Sequence, residues 1–340
     1  MLAVFLGACA PRIQPPGPGP ATPAIAADHL LMEDGAVLPL RVWKPAGEQP
    51  RAVVLALHGF NDYSRAFEDP AVHWATQGIA TYAFDQRGFG ETPYRGVWPG
   101  EARMIEDLRI AATLVRQENP GRPFYLLGES MGGAVIMAAA AADPPVQADG
   151  YILAAPAIWG RETQGAVQSG TLWLAAHTVP WLTLTGEGLN IHPSDNIQML
   201  REMWYDPLVI KEARVDALWG LTKMMDLAFA AAPAADRRSL MLYGSREDVL
   251  PDSAVVAALR RLPPADTGGP MVAIYPNGYH MLLRDLGAEA VLDDIAAWIA
   301  DPEAPLPSGG DHLAQTIINS DDDDLRPPET AGTITTTPSN

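Results

Sequence analysis

The stretch Gly128-Glu129-Ser130-Met131-Gly132 decides how this chain is read. The apolar run Phe124-Tyr125-Leu126-Leu127 precedes it and the small apolar run Gly133-Ala134-Val135-Ile136-Met137-Ala138 follows. Together they predict a strand, a tight turn carrying a serine, and a helix. A serine on such a turn takes a backbone geometry that needs glycine on either side, since a Cβ there meets the neighbouring strand or helix. Its hydroxyl then projects alone above the sheet edge. The Met131 N–H opens the helix, where unpaired donors and the helix dipole favour a negative oxygen, so it supplies half of an oxyanion hole. The competing reading is a glycine-rich strand-to-helix turn with an idle serine.

Working outward, Leu30-Leu31-Met32 and the run from Val37 to Trp43 flank Asp34-Gly35, a strong hairpin signal that starts the fold near Asp28. The run from Ala52 to Leu57 is continuously apolar, as in a strand buried on both faces of a parallel sheet, and leads straight into His58-Gly59-Phe60. A helix over 66–77 leads to a strand over 80–84, which stops at Asp85-Gln86-Arg87-Gly88-Phe89-Gly90, read as a structural turn. Helical spacing over 101–119 delivers the chain to the serine strand. Further strands are predicted at 151–155, 240–243 and 271–275, with helices over 253–262 and 288–300. This alternation implies βαβ units and an α/β fold with a mostly parallel sheet and helices on both faces.

Residues 156–236 break the pattern. They contain no strand-like run and are rich in Trp and Met, among them Trp173, Trp181, Trp219 and Met224. They read as a helical cap inserted between a first core part, 28–155, and a second, 237–301. The Trp and Met side chains either form the cap's own core or line an acyl-chain channel. Residues 302–340 read as a disordered acidic tail with Thr and Pro.

With 340 residues and 48% hydrophobic content, one large α/β domain with an insertion fits better than two equal domains. The net charge of -18, from 23 Lys and Arg against 41 Asp and Glu, argues against nucleic acid as a partner. Cys9 is the only cysteine, which excludes an intramolecular disulfide and a cysteine-based metal site. It closes the apolar run from Leu2 to Ala8, and this resembles the lipobox of a bacterial lipoprotein signal. The resemblance implies a lipidated mature N-terminus at Cys9 and a place in the cell envelope. Residues 1–27 then comprise the signal remnant and a Pro-rich extended tether. The competing reading is a frayed apolar N-terminus with an incidental cysteine, and a cytoplasmic protein.

A serine needs a base to take its proton and a third group to orient that base. His280, in Tyr275-Pro276-Asn277-Gly278-Tyr279-His280, lies directly after the last strand and before a helix. Asp248 lies in the loop after the strand ending at Tyr243, and is preferred as the acid over its neighbours Glu247 and Asp252. The chain order Ser, Asp, His belongs to the α/β-hydrolases. The Phe60 N–H is placed to complete the oxyanion hole with Met131, whereas the His58 imidazole reads as structural.

His58-Gly59-Phe60, the 85–90 turn, Gly128-Glu129-Ser130-Met131-Gly132-Gly133, Arg246-Glu247-Asp248 and Gly278-Tyr279-His280 together resemble the monoacylglycerol lipase and lysophospholipase branch of the α/β-hydrolases. Tyr205-Asp206-Pro207-Leu208 in the cap is similar to the same branch. The resemblance covers about 28–300 and implies Ser130, Asp248 and His280 as triad, with Phe60 and Met131 as oxyanion hole. It also implies ester hydrolysis of a monoacylated lipid through an acyl-enzyme, without metal or organic cofactor. A peptidase or amidase on the same scaffold, and an envelope lipoprotein that only binds lipid or protein, remain alternatives.

Overall fold

The computed structural model describes residues 10–47, 49–186, 188, 190–319 and 324–326. Cys9 and the apolar run before it lie outside the described residues. In chain order the elements are β1 (Ala24–Ile25), β2 (His29–Leu31), β3 (Val37–Trp43), β4 (Ala52–Leu57), α1 (Glu68–Thr76), β5 (Ile79–Phe84), α2 (Glu101–Glu118), β6 (Phe124–Glu129), α3 (Met131–Ala140) and β7 (Gly150–Ala154). There follow α4 (Ala166–Thr178), β8 (Thr183–Thr185), α5 (Ile197–Tyr205), β9 (Glu212–Arg214), α6 (Val215–Ala231), β10 (Ser239–Gly244), α7 (Asp252–Leu259), β11 (Met271–Tyr275), α8 (Ala288–Ala300) and α9 (Gly310–Ile318).

The continuously apolar runs do become the middle of a nine-stranded sheet, ordered β1-β2-β3-β5-β4-β6-β7-β10-β11. Every residue of β4, β5 and β6 is buried. From β5 across to β11 all pairings are parallel, while the Asp-Gly hairpin and its neighbour β1 add antiparallel strands at one edge. Helices cover both faces. On one side α2, α3 and α6 pack Leu108, Val135 and Met224 into the core, and on the other α1 and α8 contribute Trp74 and Trp298. Side chains of this size, fully buried, stabilise by roughly 1.5–3 kcal/mol each. The parallel sheet also brings the C-terminal ends of β4, β6, β10 and the loop after β11 to one rim, where ligands of open α/β sheets bind.

Three expectations are corrected. The Pro-rich segment is extended but not free. Ile13 bridges Trp98, the Gln14 N–H donates to the Trp98 carbonyl at 2.9 Å, and the Gly17 N–H donates to Asp34 at 2.8 Å. The fold therefore begins before Asp28, with β1 already paired to β2. Composition hid this because main-chain groups, not a periodic apolar face, make the contacts. Secondly, the described part of 302–340 is ordered, since α9 buries Ala314 and Ile317 against the core and Leu325 is also buried; 320–323 and 327–340 lie outside the described residues. Few large apolar residues suffice when each faces inward. Thirdly, the insertion contains a small antiparallel pair, β8 with β9, whose mostly polar, exposed strands carry no hydrophobic alternation to read.

The 85–90 turn is structural. Arg87 grips Asp34 and Asp107, each through two hydrogen bonds of 2.6–2.9 Å, and so ties the hairpin turn and α2 together behind β5. Between β7 and β10 the insertion divides sharply. Helix α6 is largely buried, and a Cβ on Gly220 would lie 2.4 Å from the Trp98 ring, so glycine is required for that approach. By contrast α4 buries only Ala176 and α5 buries nothing, leaving Trp173, Trp181 and Trp204 more than half exposed. Trp219, Met224 and Met225 are core.

Candidate active site

Ser130 sits between β6 and α3 with φ 53° and ψ -115°, a conformation that costs a non-glycine residue of order 1–3 kcal/mol. Its neighbours show why glycine must surround it. A Cβ on Gly132 would fall 2.0 Å from the Leu57 carbonyl oxygen, and one on Gly128 would fall 2.4 Å from the backbone of Gly132 and Gly133. The strain is held by pairing on both sides: the Ser130 N–H donates to Ala154 and its carbonyl accepts from Ala157, each at 2.9 Å.

His280 Nε2 lies 2.8 Å from Ser130 Oγ, and His280 Nδ1 lies 2.7 Å from Glu247 Oε2. A carboxylate can only accept here, so Nδ1 carries the proton and Nε2 is free to accept from the serine hydroxyl. The other oxygen of Glu247 accepts the N–H groups of Val249 and Leu250 at 2.8 and 2.9 Å, which fixes the carboxylate. Burial by itself lowers the His280 pKa, but the carboxylates around it, Glu247 first, together hold the imidazole above its ordinary range.

The structure thus brings Ser130 and His280 together and corrects the acid. Asp248 points outward, its side chain 45% exposed, and accepts the His192 N–H at 2.7 Å. Asp252 opens α7 and is paired with Asp324 instead. The physical reason is the turn after β10, in which the Glu247 N–H donates to the Gly244 carbonyl. It directs residue 247 inward and its successor outward, and the extra methylene of glutamate spans the distance to the ring. Nothing in the sequence distinguishes two adjacent acids on one loop, because which of them faces inward depends on that turn.

Phe60 and Met131 flank the serine. Met131 is the first residue of α3, so its N–H has no carbonyl one turn back to bond. A Cβ on Gly59 would stand 3.4 Å from Ser130 Cβ, so the backbone leading into Phe60 passes beside the nucleophile. His58 holds that backbone: its Nδ1 pairs with the Gly59 carbonyl at 2.8 Å and its Nε2 accepts the Gln86 N–H at 3.0 Å. Complete burial pushes its pKa down and keeps it neutral, suited to those two bonds.

The insertion is fastened to the histidine loop. The Met281 N–H donates to the Pro193 carbonyl, Ser194 Oγ donates to Asp285 at 2.6 Å, and Asn196 Nδ2 donates to the Arg284 carbonyl at 2.9 Å. Sequence reasoning missed this seam, since no motif announces it.

Residues 48–287 match the family model described as serine aminopeptidase, S33. The chain is 28% identical over 295 residues to human monoglyceride lipase, covering 81% of this chain and 91% of the relative. It is 25% identical over 266 residues to monoacylglycerol lipase of Mycolicibacterium smegmatis, covering 76% and 91%. In fold it is similar to a soluble variant of monoglyceride lipase from Saccharomyces cerevisiae crystallised with a substrate analogue. There the TM-score is 0.68 at 19% identity, over 85% of this chain and 100% of that one.

Proposed function

We propose that this chain, which belongs to the serine aminopeptidase, S33 family, hydrolyses carboxylic esters of monoacylated lipids through an acyl-enzyme on Ser130. The observation that carries the reading is the continuous relay from Ser130 Oγ through His280 to Glu247 on a strained strand-to-helix turn. The names of the human and mycobacterial relatives support the substrate class. The apolar side chains on the outside of α4 and the segment after it, Trp173, Leu174, Trp181 and Leu182 among them, offer an acyl chain a compatible surface.

As the Ser130 oxygen attacks the ester carbonyl, its proton passes to His280 Nε2 and the imidazolium is stabilised by Glu247. The carbonyl oxygen gathers negative charge against the N–H groups of Phe60 and Met131, each such donor contributing on the order of 3 kcal/mol to the transition state. His280 returns the proton to the departing alcohol. It then deprotonates a water that attacks the acyl carbonyl and frees the acid.

Lipidation at Cys9, with a place in the cell envelope, is part of the same proposal. The apolar run ending at Ala8 supports it. Because Ile13 and Gln14 are already bonded to Trp98, such an anchor would hold the domain within a few residues of the membrane. Mass spectrometry of the protein from its own host tests this, and an unmodified Cys9 overturns it.

For the activity, monoacylglycerols, lysophospholipids, short p-nitrophenyl esters and aminoacyl-arylamides are compared beside Ser130→Ala. Serine-dependent turnover concentrated on the monoacyl lipids is expected. Preference for the arylamides would make the protein a peptidase.

A further inference from the structure

A buried charged cluster that these steps leave unused lies beside the relay. Arg284 Nη2 donates to Glu129 Oε2 at 2.9 Å and to Asp62 Oδ2 at 2.8 Å, and all three side chains are less than a tenth exposed. Each comes from a different part of the site. Glu129 ends β6 and directly precedes Ser130, Asp62 lies on the loop that carries Phe60, and Arg284 follows His280 by one helical turn's worth of chain. One guanidinium serves two carboxylates, so the ionised cluster carries a net negative charge. Glu129 Oε1 is buried without a hydrogen-bond partner, which leaves that charge poorly compensated within the cluster.

The next residue, Ser130, bonds the His280 imidazole at 2.8 Å, and that ring becomes positive when it takes the serine proton. We infer that Glu129, ion-paired with Arg284, is a positioning residue for charge on His280. It is a second anion that favours the imidazolium through space, beside Glu247, which alone touches the ring. The inference rests on the reading of Ser130 and His280 given above. Its logic is differential: the imidazolium exists only once the serine proton has moved, so this attraction is stronger in the transition state than in the ground state. A neutral side chain at 129 loses it.

The charged groups facing His280 can be named element by element. Glu247, after β10, contacts it, and Glu129, at the end of β6, directly precedes the serine that His280 bonds. Asp285 and Arg284 share its own loop, and Asp62, after β4, is engaged by Arg284. Asp285 is committed to Ser194 Oγ and the Tyr279 N–H, at 2.6 and 2.7 Å. Burial acts to lower the His280 pKa, and Glu247 first, then Glu129 and Asp285, act to raise it. Burial raises the Glu129 pKa, and Arg284 opposes that without cancelling it.

The test is the pH dependence of kcat/KM on a soluble p-nitrophenyl ester, for the full chain and its Glu129→Gln and Glu129→Asp variants, with Ser130→Ala as the baseline. The Gln variant is expected to move the acid limb down by about half a unit to one unit, with a plateau roughly 3- to 10-fold lower. The Asp variant, which keeps the charge, is expected to restore the limb. If Glu129→Gln does not fold, Glu129→Ser reads the same shift with less bulk. An acid limb unmoved by removal of the charge, in turnover that depends on Ser130, overturns this inference alone. A wild type without Ser130-dependent turnover overturns the reading of the site and this inference with it.

Discussion

The rim of the sheet and the inserted segment use similar residue types to opposite ends. At the rim, β4 and β6 are buried at every residue, and the loops they carry are fixed by backbone bonds and glycines that admit no side chain. In the insertion, α4 and α5 turn tryptophan and leucine side chains outward. The reacting atoms therefore stand at the rim of the buried sheet, while the insertion keeps apolar surface exposed. The two regions are joined where residues 193–196 bond the histidine loop. A change at the rim should cost chemistry or stability outright, whereas a change on the exposed face of the insertion should alter only which substrates are favoured.

The largest effect expected is from Ser130→Ala. Removing the nucleophile of a serine hydrolase lowers kcat by about 10⁶, and fluorophosphonate labelling of the protein should vanish with it. Next comes Gly132→Ala, whose added Cβ would meet the Leu57 carbonyl at 2.0 Å. It should destabilise the fold by about 1–3 kcal/mol, readable by urea unfolding, and lose activity by displacing the serine turn. A smaller and graded effect is the pH profile. Since His280 must be neutral to accept the serine proton and its pKa is raised, activity should fall as pH drops through a midpoint above the ordinary ~6.5 of histidine. The smallest expected effect sharpens the contrast between the regions. Trp181→Ala, at an exposed site, should leave stability within about 0.5 kcal/mol and turnover of short soluble esters unchanged, while turnover of long-chain monoacylglycerol in vesicles falls several-fold.

How much of this was legible in the sequence follows the same division. The central strands, the Asp-Gly hairpin and the serine turn announce themselves, because burial on both faces and steric exclusion leave few residue types that fit. Ser130 and His280, which the fold brings within 2.8 Å, could be found by their positions after strands. The identity of the acid could not, since Glu247 and Asp248 differ only in the side of a turn they face. The Asp62–Arg284–Glu129 cluster was equally invisible, being assembled from one strand end and two loops that are distant in the chain. Likewise α9 and the docked segment 10–23 rely on a few inward side chains or main-chain bonds, which composition averages away.

The central claim is that His280 is driven by Glu247 and not by its neighbour. The most direct measurement is kcat/KM on one soluble ester for Glu247→Gln and Asp248→Asn side by side, with folding checked by thermal unfolding. Loss of the acid's charge should leave the histidine without its counter-ion and lower turnover by about 10³- to 10⁴-fold in Glu247→Gln. Asp248→Asn, which disturbs only the contact with His192, should stay within about tenfold of wild type. A large loss in Asp248→Asn together with near-normal turnover in Glu247→Gln would contradict the account.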